Sequence, residues 1–470
     1  MLSRAVAQQS AGGESYWWDE LDPDFIVDPA RTSNGTGSEG NPYQPSQAFA
    51  VNPGGSRVIF EWLPGELQYA EDRGSSVNRP YWKPQFGGAS HTNPVIHRAR
   101  YKAADPAVSS SNYSSFVKTS GEGSIFGTFN TSYVYWDGFH SPTYAGVDGE
   151  QFMYVCRADG TLTGCKGVRL HLDANNQGVF TASTGNAGGA YHQNIYDCEL
   201  ADCLIRRIGN HSGNAFNSAV EHYSADGLSV HHVDFDDIWG YGIFEKGATA
   251  HANRGNRYYN NHMQIVKRFA FFQYVHATGT TLDDASWWYK NLCHDIYEWA
   301  VATNIVAGDQ SGVVMQNNTF ARIGSSPIPG GTGGGFVQHP HVHAALWVLR
   351  NNIFHDTIRS YVAGDGHDWT TYGSAMEINR NLHWLQTAIS NHLGTNRTLD
   401  YCQNTLGIDV NGTEQNPLFT NAAGNDFTLQ GSSPALTLGT DYLNLHGGGT
   451  SATIPAGCYT GQSDVMGRRF

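Results

Sequence analysis

Charge is scarce in this chain. Of 470 residues only 15% are Asp, Glu, Lys or Arg, while 40% are hydrophobic. Disorder would require the opposite balance, low hydrophobicity with high charge. Long apolar runs are missing: no segment reaches 18 consecutive apolar residues, which excludes a transmembrane helix. Cysteine is sparse. The seven (Cys156, Cys165, Cys198, Cys203, Cys293, Cys402, Cys458) contain no CxxC pair, so neither a zinc ribbon nor a disulfide scaffold is indicated. Cys156/Cys165 and Cys198/Cys203 could pair in an oxidising compartment, but buried free thiols are the expected state. Basic residues are the minority, 28 against 42 acidic, for a net charge of −14. That argues against nucleic acid or an anionic membrane as a partner. The opening "MLSRAVAQQSAGGESYWWDE" has no apolar stretch of signal-peptide length. A heptad stem for trimerisation is not evident either.

What is abundant is glycine (55 residues) and aromatic side chains (12%). This mix suits a β-rich protein with many tight turns. A short pattern recurs: a polar strand ending in Asn, then an apolar residue two places on. It is present as "YYNNHMQIV" around Asn261, "WYKNLCHDI" around Asn291 and "VMQNNTFARI" around Asn318. It continues as "VLRNNIFHDT" around Asn352 and "INRNLHWLQ" around Asn381, with weaker copies near Val233 and Cys198. The copies lie roughly 30 residues apart and carry no helical period. One such unit cannot bury its own apolar side, but stacked units can. The expected fold is all-β, a single-domain right-handed parallel β-helix (a solenoid) with long loops and capped ends. An inward Asn repeated once per coil would form a ladder that satisfies buried backbone groups.

The "RNNIFHD" type of repeat resembles the right-handed parallel β-helix proteins, the pectate-lyase-like superfold. The stretch "GTGSEGNPYQPSQAFAVNPGGSRVIF" (35–60) resembles the start of many such carbohydrate-active proteins, where a short helix precedes the first rung. The stretch "NPLFTNAAGNDFTLQGSSPAL" (416–436) resembles their closing segment. The resulting division is an N-terminal extension (1–34), a β-helix domain with loop insertions (35–436) and a C-terminal capping segment (437–470). The resemblance implies a polysaccharide partner, bound along an outer groove.

Three constellations could carry chemistry. The first is basic. "FEKG", an Asn rung and "VKR" are similar to the alginate lyase and chondroitinase B family, in which a Lys and an Arg on successive coils act as base and acid. That resemblance implies β-elimination on a uronic-acid polymer, with Lys246 as base and Arg268, or alternatively Lys267, as acid. A second cation or Ca²⁺ would neutralise the substrate carboxylate. Two departures stand out: Gly follows Lys246 where the family has Ser, and Phe-Ala follows Arg268 where it has His-Gly. Arg254 and Arg257 complete a local basic cluster in an acidic protein. Trp239, Tyr241, Tyr258 and His251 are candidate sugar contacts beside it, with Tyr259, Trp287, Trp288, Tyr289 and Trp369 further along; the ordinary alternative for each aromatic is a place in the core. The second constellation is acidic: Asp226, Asp234, Asp236 and Asp237 in "ADGLSVHHVDFDDIWG" faintly resemble the clustered Asp residues of polygalacturonase-like hydrolases, or else occupy turns. The third is "QHPHVH", whose alternation would put His339, His341 and His343 on one side of a strand as metal ligands. Binding to glycan without cleavage, as in a phage tail-spike protein, is a further class. The expected location is extracellular or on a virion, and the expected state a monomer or homotrimer.

Overall fold

The computed structural model describes residues 15–69, 82–118, 126–141, 153–157, 161–173, 180–181, 194–208, 218–246, 253–275, 283–305, 310–324, 333–338, 343–363, 376–440 and 453–458. Three long sheets of 12, 12 and 9 strands run through these residues, parallel except for the antiparallel pair Ala388–His392 and Thr395–Arg397 that ends the third. One coil shows the plan. Arg257–Tyr259 lies in the first sheet, His262–Val266 in the second and Phe269–Val275 in the third. The next coil repeats it with Ser286–Tyr289, Leu292–Ile296 and Trp299–Ile305, each paired in parallel with its predecessor. The chain therefore winds as a right-handed parallel β-helix.

The interior is a set of stacked columns. Tyr258 and Trp288 stack in the first sheet, Met263 and Cys293 in the second, and Phe271 and Val301 in the third, all fully buried. Short strands suffice because each coil supplies only one layer and its neighbours bury the rest. At the bend between the first and second sheets stand Asn261, Asn291, Asn318, Asn352 and Asn381. Each Asn Oδ1 above the first accepts the backbone N–H of the preceding ladder Asn at 3.0 Å. Each also accepts that residue's Nδ2. The Nδ2 groups further donate to strand carbonyls such as Tyr258 O and Trp288 O. Asp409 closes the ladder by accepting from Asn381 N at 3.1 Å.

Both ends are covered. The helix Pro45–Ala50, with Phe49 buried against Trp62, closes the start. Leu399, Cys402 and Ile408 join the core at its end. Of the segment 437–470, expected as the cap, the structure describes residues 437–440 and 453–458. The described part of that segment lies along the side of the solenoid: Pro455 O and Thr440 O accept from the turn residues Asn317 and Asn351. Near the N-terminus, Tyr16, Trp18 and Leu21 pack against the outer face of the first sheet. Cys165, Cys198, Cys203, Cys293, Cys402 and Cys458 are buried free thiols, so Cys198 and Cys203 do not pair. The side chain of Cys156 lies outside the described residues.

Candidate active site

The second sheet carries a regular irregularity. Arg206, Asp236, Gln264 and His294 face outward in one register. The residue after each adopts a positive φ: Arg207 (51°), Asp237 (58°), Ile265 (54°) and Asp295 (56°). Pairing then resumes through the buried column Ile208, Ile238, Val266 and Ile296. This is a left-handed kink repeated in register on successive coils, and it re-aims the side chains beside it. Two side chains per coil consequently project from one edge.

The result is a cleft of about 590 Å³ lined by Asp173, Arg206, Arg207, Asp236, Asp237 and Ile265. Arg207 Nε donates to Asp173 Oδ1 at 2.6 Å. Asp236 Oδ1 accepts from Gln264 Nε2 at 3.0 Å, and its Oδ2 lies 4.0 Å from Arg206 Nε. Asp237 Oδ1 accepts from the indole of Trp239 at 2.9 Å. Burial, reinforced by the neighbouring carboxylates of Asp234 and Asp237, lifts Asp236 above the usual carboxylate range, although Arg206 opposes the shift. Asp236 is thus shifted toward its protonated form, while Asp173 accepts from a guanidinium and Asp237 from an indole. That division of labour is what acid–base chemistry between two carboxyl groups requires.

The cleft sits in a longer strip. On one side lie His140 and His171, both held neutral, near pKa 4, mainly by burial. Neither ring nitrogen of His171 has a hydrogen-bond partner among the described residues. On the other side, His262 Nδ1 bonds Asp234 at 2.8 Å and His262 Nε2 meets His294 Nε2 at 2.9 Å. His294 Nδ1 then reaches Asp295 at 2.6 Å. Arg322 clasps Asp295 and the carbonyl of Ala422, so the closing segment walls off this end.

The basic cluster, continuous in sequence, is scattered by the fold. Lys246 and Arg268 are both on the third-sheet side, but Arg268 N bonds Gly240 O. Six residues of strand therefore separate their levels, roughly 20 Å. Their backbone positions are not the adjacent-coil neighbours that the resemblance implies for a base–acid pair. Arg268 is engaged by Tyr241 at 2.8 Å and Glu298 at 3.5 Å. Lys267 Nζ lies over the Trp239 ring, 4.3 Å from its centroid. Arg254 is exposed beside Asp226 at the turn into the first sheet, and Arg257 stacks on Trp287 on that sheet's outer face. Asp234, Asp236 and Asp237, by contrast, are brought together on one side of the second sheet.

Several candidate sugar contacts prove to be structural. Tyr258 and Trp288 are fully buried in the core, and Tyr258 donates to Glu245 there. Tyr241 is 2% exposed, covered by the outer aromatic cluster of Phe269, Phe272 and Trp299. Tyr259 and Tyr289 stack face to face at 4.9 Å on the first sheet. His251, Trp369, His339 and His341 lie outside the described residues, as does the side chain of His343. Among the described residues, no three His, Cys, Asp or Glu side chains converge as metal ligands. Asp173, Arg206, Arg207, His171 and Ile265 escaped the reading of the sequence. Their signal was register: Asp173, Arg206, Asp236 and Gln264 occupy equivalent positions on successive coils.

No protein-family model matches this chain, and no curated protein sequence matches it. Among solved structures, it is similar to the crystal structure of pectate lyase Pel9A, with a TM-score of 0.51 and 14% sequence identity over 94% of this chain and 97% of that one. The complex of XylC with xylose aligns more loosely, with a TM-score of 0.39 and 8% identity over 80% of this chain and 85% of that one, and carries no argument. The likeness to Pel9A is one of fold: a right-handed parallel β-helix of pectate-lyase-like architecture.

Proposed function

We propose that the protein binds a polysaccharide along the outer face of the second sheet and hydrolyses it there. The observation that carries this reading is the cleft that gathers Asp173, Asp236 and Asp237 with Arg206 and Arg207. In the proposed reaction Asp236, the carboxyl favoured in its protonated form, donates a proton to the glycosidic oxygen as the C–O bond breaks. Asp237 takes a proton from the water that attacks the anomeric carbon. Arg207 holds Asp173 by its guanidinium, and Arg206 faces Asp236. A lyase centred on Lys246 is less well supported, because its acid partner stands about six strand residues away.

The test is incubation with alginate, pectate, hyaluronan, chondroitin and neutral glycans, following reducing ends together with absorbance near 235 nm. Reducing ends should rise without new absorbance. Asp236→Asn should lower turnover by roughly 10²–10⁴-fold, while Lys246→Ala stays within about twofold. The alkaline limb of the pH profile should report loss of the Asp236 proton, since a raised carboxyl pKa retains the active form to higher pH. Unsaturated product, or an active Asp236→Asn variant, would discard the hydrolase. Binding without either signal would instead place the protein with non-cleaving glycan binders.

A further inference from the structure

Ile265 is out of character with its position. It lines the cleft, is 38% exposed and has φ of +54°. Among the described non-glycine residues with positive φ, it is the only β-branched one. The others are dominated by Asn, Asp and Arg. Along the column of kinked positions the other residues are Arg207, Asp237, Asp295, Arg322 and Asp356, all polar, and at its far end Leu385, which is apolar but not branched at Cβ. A left-handed conformation is a true outlier for a side chain branched at Cβ, whereas Asn adopts it readily. Ordinarily such strain is offset by burial, but this side chain is left facing solvent. Folding alone thus gives no reason for isoleucine here, and strain retained at a cleft points to the ligand.

We infer that Ile265 is the apolar floor of a glycosyl subsite, packing against the C–H face of one pyranose unit and setting it beside Asp236. This rests on the cleft being the polysaccharide site. The surroundings suit that occupant. Gln264, the preceding residue, already holds Asp236 Oδ1, so the backbone that presents Ile265 also orients the acid. On the adjacent coil the indole of Trp239 is fixed by Asp237 below and by Lys267 over its ring. A sugar ring offers one apolar face and a rim of hydroxyls. The cleft offers one apolar side chain ringed by carboxylates and guanidinium groups.

The decisive comparison sets stability against binding. Ile265→Asn relieves the backbone and removes the apolar contact. Ile265→Val keeps both the branching and most of the contact. Retention is measured by affinity electrophoresis in gels cast with alginate, pectate, hyaluronan, chondroitin or a neutral glucan, using an Asp236→Asn background so that cleavage does not intervene. Ile265→Asn should raise the unfolding temperature and weaken retention about tenfold in the gel that best retards the parent. Ile265→Val should stay within about twofold on both counts. A stabilised Ile265→Asn protein with unchanged retention would overturn the subsite, as would a parent protein that none of the gels retards. An Asp236→Asn protein that still cleaves would remove the proposed chemistry, and the retention comparison would then use a glycan that the protein binds without cleaving.

Discussion

At the scale of single residues, the most unusual group is inside the solenoid rather than in its cleft. Glu245 is fully buried, accepts from Ser286 Oγ at 2.7 Å and from Tyr258 at 3.1 Å, and its pKa is pushed up to about 7. Burial is the larger influence; the hydroxyl donors favour the anion and only partly offset it. His222 completes the set, bonding Tyr258 at 2.7 Å while burial holds it neutral, near pKa 3. The sign follows from linkage. The folded state keeps the Glu245 proton after the unfolded chain has lost it, so stability falls as pH rises from about 4.5 to about 7 and is level beyond. Two and a half pKa units correspond to roughly 3 kcal/mol. Denaturant midpoints at pH 5 and pH 8 should therefore differ more in the parent than in Glu245→Gln, where the slope from this residue disappears. Equal slopes would mean that Glu245 does not titrate there. Nothing in the sequence marked it: "FEKG" draws the eye to the lysine, and alternation along the strand decides that its neighbour points inward.

At the scale of elements, two devices hold coils in place. The Asn ladder supplies hydrogen bonds where the chain turns and regular pairing lapses. In Asn318→Ala the N–H of Asn291 and the carbonyl of Trp288 lose their partner in a dry interior. The expected loss is roughly 3 kcal/mol, read from chemical denaturation; a change below measurement error would deny the ladder its energetic role. The second device is the N-terminal strap. Arg169 joins Asp19, at 2.6 and 2.7 Å, to Asp137, which also accepts from Trp18. Burial works against the Asp137 charge, but Arg169 and Lys102 overcome it and hold the pKa near 2. Arg169→Met would leave both carboxylates short of their partner. It should cost about 3–5 kcal/mol and release the strap, seen as faster proteolysis near residues 15–24. Unchanged proteolysis would show that Trp18 and Tyr16 anchor the segment by packing alone. The ladder was legible from its Asn repeats. The strap was legible only as an extension on the first coil, because nothing local in "SYWWDE" names Asp137 or Arg169 as partners.

At the scale of the whole molecule, winding rearranges what the sequence sets side by side. Lys246, Arg254, Arg257, Lys267 and Arg268 fall within 23 positions, yet a single coil carries them around the circumference of the solenoid. Asp173, Arg206, Asp236 and Gln264 are far apart in the chain and meet in one register. The proposed chemistry follows the second grouping. For this protein, the sequence alone determined the architecture. Repeated apolar positions and inward Asn residues can be satisfied only by stacking like on like, and that requirement is local and periodic. Only the tertiary structure decided the candidate site. Which side chains share a cleft depends on the length of every intervening turn and on a left-handed kink repeated from coil to coil, and no short stretch of sequence contains either.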